Sequence, residues 1–212
     1  MTHPRTFMAA GSLAAALLLA GCAGSPPPSW HSVLPTDAGT AAGGATPPAP
    51  AASGAVRVTT LQVGRISVPD AVDRSSLVVA TGSGLTVQDG QRWVEPVKAQ
   101  LPRALALLLA ERLPGATVTA WPATVGGTPQ WRLVADVQRF DLSAAPAQAR
   151  LRVVWTLRPG DVNASNTGPA ALPQVFDVTV PATGGDDPAA LVAAMRAALA
   201  RWADVVALVA RG

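Results

Sequence analysis

The cleanest alternation in the chain runs through Arg150–Arg158, where Leu151, Val153, Trp155 and Leu157 share one parity and predict a half-buried strand. Similar patterns mark Val56–Val63, Arg65–Val68, Ala116–Trp121 and Val175–Val180, the last with Phe176, Val178 and Val180 together. Leu77–Thr81 is a dense β-branched run closed by Gly82-Ser83-Gly84, and Leu85–Gln88 follows as a short strand. Trp131–Leu142 is longer. Leu133, Ala135 and Val137 share a face, but Phe140 and Leu142 fall on the other parity, which is the mark of a β-bulge.

The period changes to 3.6 in two places. Over Trp93–Leu113 the residues Val97, Leu101, Leu105, Leu108 and Arg112 lie along one side, and Pro114-Gly115 ends the segment. Pro96 suits a first turn. Pro102 does not suit an interior, so either the helix kinks there or its regular part starts near that residue. The second helix opens at Asp187-Pro188, with Asp as cap and Pro at the first position, and runs to about Ala210. Its stripe of Leu191, Met195, Leu199, Trp202, Val206 and Val209 reads as core packing. Together these elements predict an α+β fold: a mostly antiparallel sheet with two helices packed on one face.

The N-terminus is of another kind. Arg5 precedes the apolar stretch Phe7–Ala20, too short for a spanning helix, and the segment 1–21 reads as a secretory signal peptide. It ends Leu19-Ala20-Gly21-Cys22, a bacterial lipoprotein box in which Cys22 supplies the thiol for a diacylglyceryl thioether. Cys22 is the only cysteine, so an acyl lipid of the palmitate type on it is the expected modification, and an internal disulfide is excluded. In lipoproteins that this box resembles, Asp at the following position favours the inner membrane. Ala23 therefore directs the expectation to the outer membrane, inner leaflet, facing the periplasm. Residues 22–55 are rich in Pro, Ala, Gly, Ser and Thr and read as a lipidated tether, with a candidate short strand at 30–34. As a flexible coil its 32 residues from Ala23 to Gly54 reach about 30 Å. The globular domain is 56–212.

Composition narrows the chemistry. The chain of 212 residues is 49% hydrophobic and 14% charged, enough apolar material for one core. The sequence pI near 10.4 accompanies a formal charge of only +3, because one Lys, no Tyr and one Cys leave almost nothing to titrate between His and Arg. No basic run exists, so nucleic acid is not an expected partner. His3 and His31 both precede the globular domain, which therefore has neither His nor Cys. That removes Ser-His-Asp and Cys-His catalysis and the usual zinc ligands. No metal and no cofactor besides the covalent lipid is expected, and the chain does not read as an enzyme. Asp70 and Asp73 can pair as carboxylates only within a Pro-containing turn, where a turn-forming role is the simpler reading. Lys98 reads as a solvated side chain.

Four features resemble the PqiC-type family, the ABC-transport auxiliary lipoproteins of paraquat-inducible, MCE-type lipid transporters. Trp30–Pro35 is similar to an aromatic-x-x-x-Leu-Pro segment after the lipidated cysteine. Val63–Arg74, with Pro69, Asp70, Asp73 and Arg74, resembles a Val-Pro-x-x-x-Asp-Arg turn. Arg92-Trp93-Val94-Glu95-Pro96-Val97 resembles Arg-Trp-Ala-Glu-Pro-Leu at a helix start, and the helix to Gly115 matches in length. Departures are Pro102, the insertion at Thr36–Ala55, and Trp30-His31 where tyrosines are usual. The resemblance implies an outer-membrane lipoprotein acting as a periplasmic adaptor. Such an adaptor binds an MCE-domain protein, assembles as a homo-oligomer and supports envelope integrity. Two other readings stand beside it: a lipoprotein that itself carries lipid, and a structural envelope lipoprotein without a transporter. Arg92, Trp93 and Glu95 are expected to form the fold, with Arg92 and Glu95 able to pair across a helix turn.

Overall fold

The computed structural model describes residues 27–35, 58–82, 84–123, 127–160 and 172–211. Its elements run β1 (Ser29–His31), β2 (Thr60–Ser67), β3 (Ser76–Thr81), β4 (Gly84–Trp93) and α1 (Val97–Arg112) in the first half. The second half follows as β5 (Thr117–Ala120), β6 (Trp131–Ala144), β7 (Ala147–Pro159), β8 (Gln174–Pro181) and α2 (Pro188–Ala210). The signal peptide, Cys22, most of the tether and residues 161–171 lie outside the described residues.

β6 is the spine of a single sheet. One edge pairs antiparallel with β7 along its whole length, and β7 pairs antiparallel with β8. The other edge is shared: its first part takes β2 in parallel, and Ser143 near its end meets Ala80 of β3. Outside β2 lies β5, and outside β3 lie β4 and then β1. The α+β class and the two helices hold, but the expected mostly antiparallel sheet does not. Four of seven pairings among the described residues are parallel, β1–β4, β2–β5, β2–β6 and β3–β6, so the sheet is mixed. Side-chain alternation is the same in both kinds of strand, and only a crossover permits parallel neighbours. Here α1 carries the chain back so that β5 can lie beside β2.

The parity change in β6 is a bulge, with the register shifting between Val137 and Arg139. It keeps Leu133, Ala135, Val137, Phe140 and Leu142 all buried. β2 passes so close to β6 that a Cβ on Gly64 would stand 2.8 Å from the Leu133 carbonyl oxygen, which is why a residue without one occupies that position.

Both helices lie on one face: α1 packs on β2 and β5, α2 on β6, β7 and β8, and each on the other. The first helix starts later than its periodicity suggests. Trp93 ends β4, and Pro96 is the N-cap. The residue before a proline is disfavoured in the helical region, which favours a start of the helix after Glu95. Beyond it α1 runs continuously through Pro102. The residue whose carbonyl this proline deprives of a donor, Lys98, is exposed as expected. On α2 the Asp187 side chain accepts from the Ala190 N–H at 3.2 Å, with Pro188 behind it. Leu191, Met195, Leu199, Trp202 and Val206 are all buried, but Val209 is 37% exposed. Four residues on from Val206, the buried face continues at Ala210 instead.

Candidate functional site

Three segments that stand apart in the sequence meet where β4 passes into α1. The turn after β2 is closed by Val72 N–H donating to the Pro69 carbonyl at 3.1 Å, and it leaves Asp70 and Arg74 exposed. Asp73 instead turns to the helix: its Oδ1 accepts the Lys98 N–H at 3.3 Å, satisfying one of the free donors of the first turn of α1. The Trp93 N–H donates to the Ser75 carbonyl at 2.8 Å, and Arg92 Nη1 donates to Ser76 Oγ. The Trp93 ring is buried edge-on against Phe140, with centroids 6.2 Å apart. Pro96 offers its carbonyl to the Ala99 and Gln100 N–H groups.

Trp30–Pro35 docks on the same junction. β1 lies parallel to the end of β4, and the Val94 N–H donates to the His31 carbonyl at 2.9 Å. Val33 is buried in the core. Gln100, fully buried, accepts Ser32 Oγ–H at 2.8 Å and Val33 N–H at 3.0 Å on its Oε1. Arg196 of α2 donates from Nε to the Ser32 carbonyl at 2.8 Å. Sequence reasoning missed Gln100. The available signal was a polar residue three positions after Val97, on the apolar side of the helix.

Arg92 and Glu95 do not pair. Arg92 turns to Ser76, while Glu95 forms its ion pair with Arg103, two turns along α1. That pair stands beside a groove of about 530 Å³ lined by Arg65, Glu95, Pro96, Lys98, Arg103 and Trp121 among others. The Arg65 guanidinium lies 4.4 Å from the centroid of the Trp121 ring, which is 40% exposed. Three cations, one carboxylate and an exposed aromatic thus line this rim. Sequence reasoning singled out Glu95 and Pro96 of this set. Arg65 and Trp121 meet only because β2 and β5 pair in parallel, with Trp121 N–H donating to the Val63 carbonyl at 2.8 Å.

A second polar surface lies on the sheet. Asp177 of β8 accepts two bonds from Arg150, at 3.1 and 2.9 Å, and a third from Arg152 at 3.0 Å. The hydrogen bonds from Arg150, with smaller help from Arg152, hold the Asp177 carboxyl below the usual carboxylate range, and the Arg150 guanidinium is correspondingly raised. A carboxyl lowered in the folded state stabilises the fold above its unfolded pKa and loses that contribution as pH falls through the folded value. Asp177→Asn should therefore lower Tm at neutral pH, by less than about 4 °C for so exposed a pair. The gap from wild type should close as pH drops below about 4, and thermal melts between pH 7 and pH 2.5 measure it.

Among the described residues no group of three His, Cys, Asp or Glu is placed to hold a metal ion. No described helix is long and apolar enough to cross a membrane.

Residues 44–207 match the family model of the ABC-type transport auxiliary lipoprotein component. No curated protein matches the chain. Among solved structures, an uncharacterised protein shares the fold at TM-score 0.63 and 17% identity, covering 86% of this chain and 98% of its own. A Xanthomonas campestris protein of family DUF330 does so at TM-score 0.56 and 21% identity, covering 72% of this chain and 84% of its own.

Proposed function

This chain belongs to the ABC-type transport auxiliary lipoprotein family, and on that premise we propose that it is the non-catalytic periplasmic adaptor of an MCE-type lipid transporter. Acyl chains on Cys22 anchor it in the inner leaflet of the outer membrane. The body binds an MCE-domain protein and assembles as a homo-oligomer, and its contribution is to envelope integrity. The observation that carries this reading is the family match across the body, downstream of a lipoprotein box at Leu19–Cys22.

Two features support an adaptor over an enzyme or a carrier. From Val56 onward there is no His or Cys, so its work rests on surface complementarity rather than a reactive group. The space between helices and sheet is filled by Phe140, Trp155, Met195, Trp202 and several leucines, each under 2% exposed except Phe140 at 2%. A two-chain lipid has no room there without repacking this core.

A genetic test separates the readings. Strains lacking this protein, an MCE-domain protein of the same organism, or both should show the same envelope permeability defect when that protein is the partner. A double mutant clearly worse than either single mutant would place the two in separate processes and remove the adaptor reading.

A further inference from the structure

Only six residues, Ala23–Pro28, separate Cys22 from the first residue of β1. β1 and the residues after it are fixed to the body: Ser29, Trp30 and His31 pair in register with Gln91, Arg92 and Trp93. Gln100, Arg196 and the burial of Val33 hold the next two residues. Residues 36–57 thus join two segments that both belong to the body, so their length adds nothing to the distance between lipid and body. An extended chain spans about 3.3–3.6 Å per residue, so the seven steps from Cys22 to Ser29 reach about 25 Å at most. A body of about 150 residues is roughly 40 Å across. The leash is shorter than the body is wide.

Trp30 stands at the anchored end. It is 61% exposed on the outward side of β1, in register with Arg92 and opposite in parity to the buried Trp93. Pro27, Pro28 and Val94 beside it are exposed as well. Such a tryptophan, with an apolar ring and a polar N–H, is suited to the headgroup region of a bilayer.

We propose that the β1 end of the body rests on the same bilayer that holds the acyl chains, with Trp30 seated among the lipid headgroups. This rests on Cys22 being the acylated residue. The short leash and the docked strand together fix which end of the adaptor faces the membrane and which end is offered to the periplasm.

The test uses the acylated full-length protein in vesicles of phosphatidylethanolamine and phosphatidylglycerol containing brominated phosphatidylcholine, a contact quencher of tryptophan. Bound protein should lose up to about one part in six of its emission, the share of one tryptophan among six. Trp30→Phe should abolish that loss while the protein stays bound. Inserting about ten Gly/Ser residues after Ser25, which raises the maximum reach of the leash from about 25 to about 60 Å, should weaken it. Deleting Ala41–Pro50 should leave it unchanged. Acylated, vesicle-bound protein without quenching, or quenching that survives Trp30→Phe, overturns the proposal while leaving the anchor intact. Protein with no acyl mass on Cys22 that stays off the vesicles overturns the anchor and the proposal together.

Discussion

Replacing Cys22 with Ser is expected to move the protein out of the outer-membrane fraction entirely. Each buried methylene of an acyl chain is worth about 0.8 kcal/mol; one chain binds reversibly, and two or three hold for practical purposes permanently. The serine hydroxyl cannot form the thioether, and no second cysteine can replace it. Full-length, unlipidated precursor should accumulate, its mass free of acyl groups, while the body keeps its fold. A mature N-terminus mapped elsewhere, or unchanged fractionation of Cys22→Ser, would mean that the box is not used.

The second large effect is on stability. Trp202 is fully buried on α2, within the stripe that packs on β6, β7 and β8. Truncating a buried aromatic to alanine costs about 3–5 kcal/mol, a large part of the 5–15 kcal/mol that holds a domain together. Trp202→Ala in a non-lipidated chain should lower Tm by about 10 °C or more. Trp202→Phe should cost much less, because the indole N–H has no hydrogen-bond partner among the described residues and the ring contacts largely survive. Thermal melts of the two variants distinguish this packing role from a hydrogen-bonding one, in which both would be equally damaged.

The elements that sequence periodicity located well are those whose one buried face leaves a local trace. The alternation in β7, the stripe on α2 and the parity switch at the β6 bulge are of this kind. Errors arose where the deciding contact is distant. Nothing local says that β2 lies parallel to both β5 and β6. Apolar spacing alone starts α1 four residues early, at Trp93, whereas Pro96 at the N-cap marks the boundary. The candidate site was legible in part. The turn and helix-start motifs were visible as motifs, yet that Asp73 caps α1 and that Arg92 turns to Ser76 rather than Glu95 follow only from the sheet. The groove rim of Arg65 and Trp121 left no trace, since strand pairing alone unites it.

One binding measurement tests the adaptor role most directly. The non-lipidated chain from Ala23 onward is titrated with the periplasmic domains of the MCE-domain proteins of the same organism, and the same preparation is assayed for phospholipid. Arg74→Ala and Trp121→Ala are run alongside as probes of an exposed cation and an exposed aromatic. The prediction is a saturable complex, weakened by at least one of these substitutions without loss of Tm, and less than stoichiometric lipid in the free protein. No complex at any concentration reached, with one phospholipid per chain in the purified protein, would contradict the adaptor and favour a carrier.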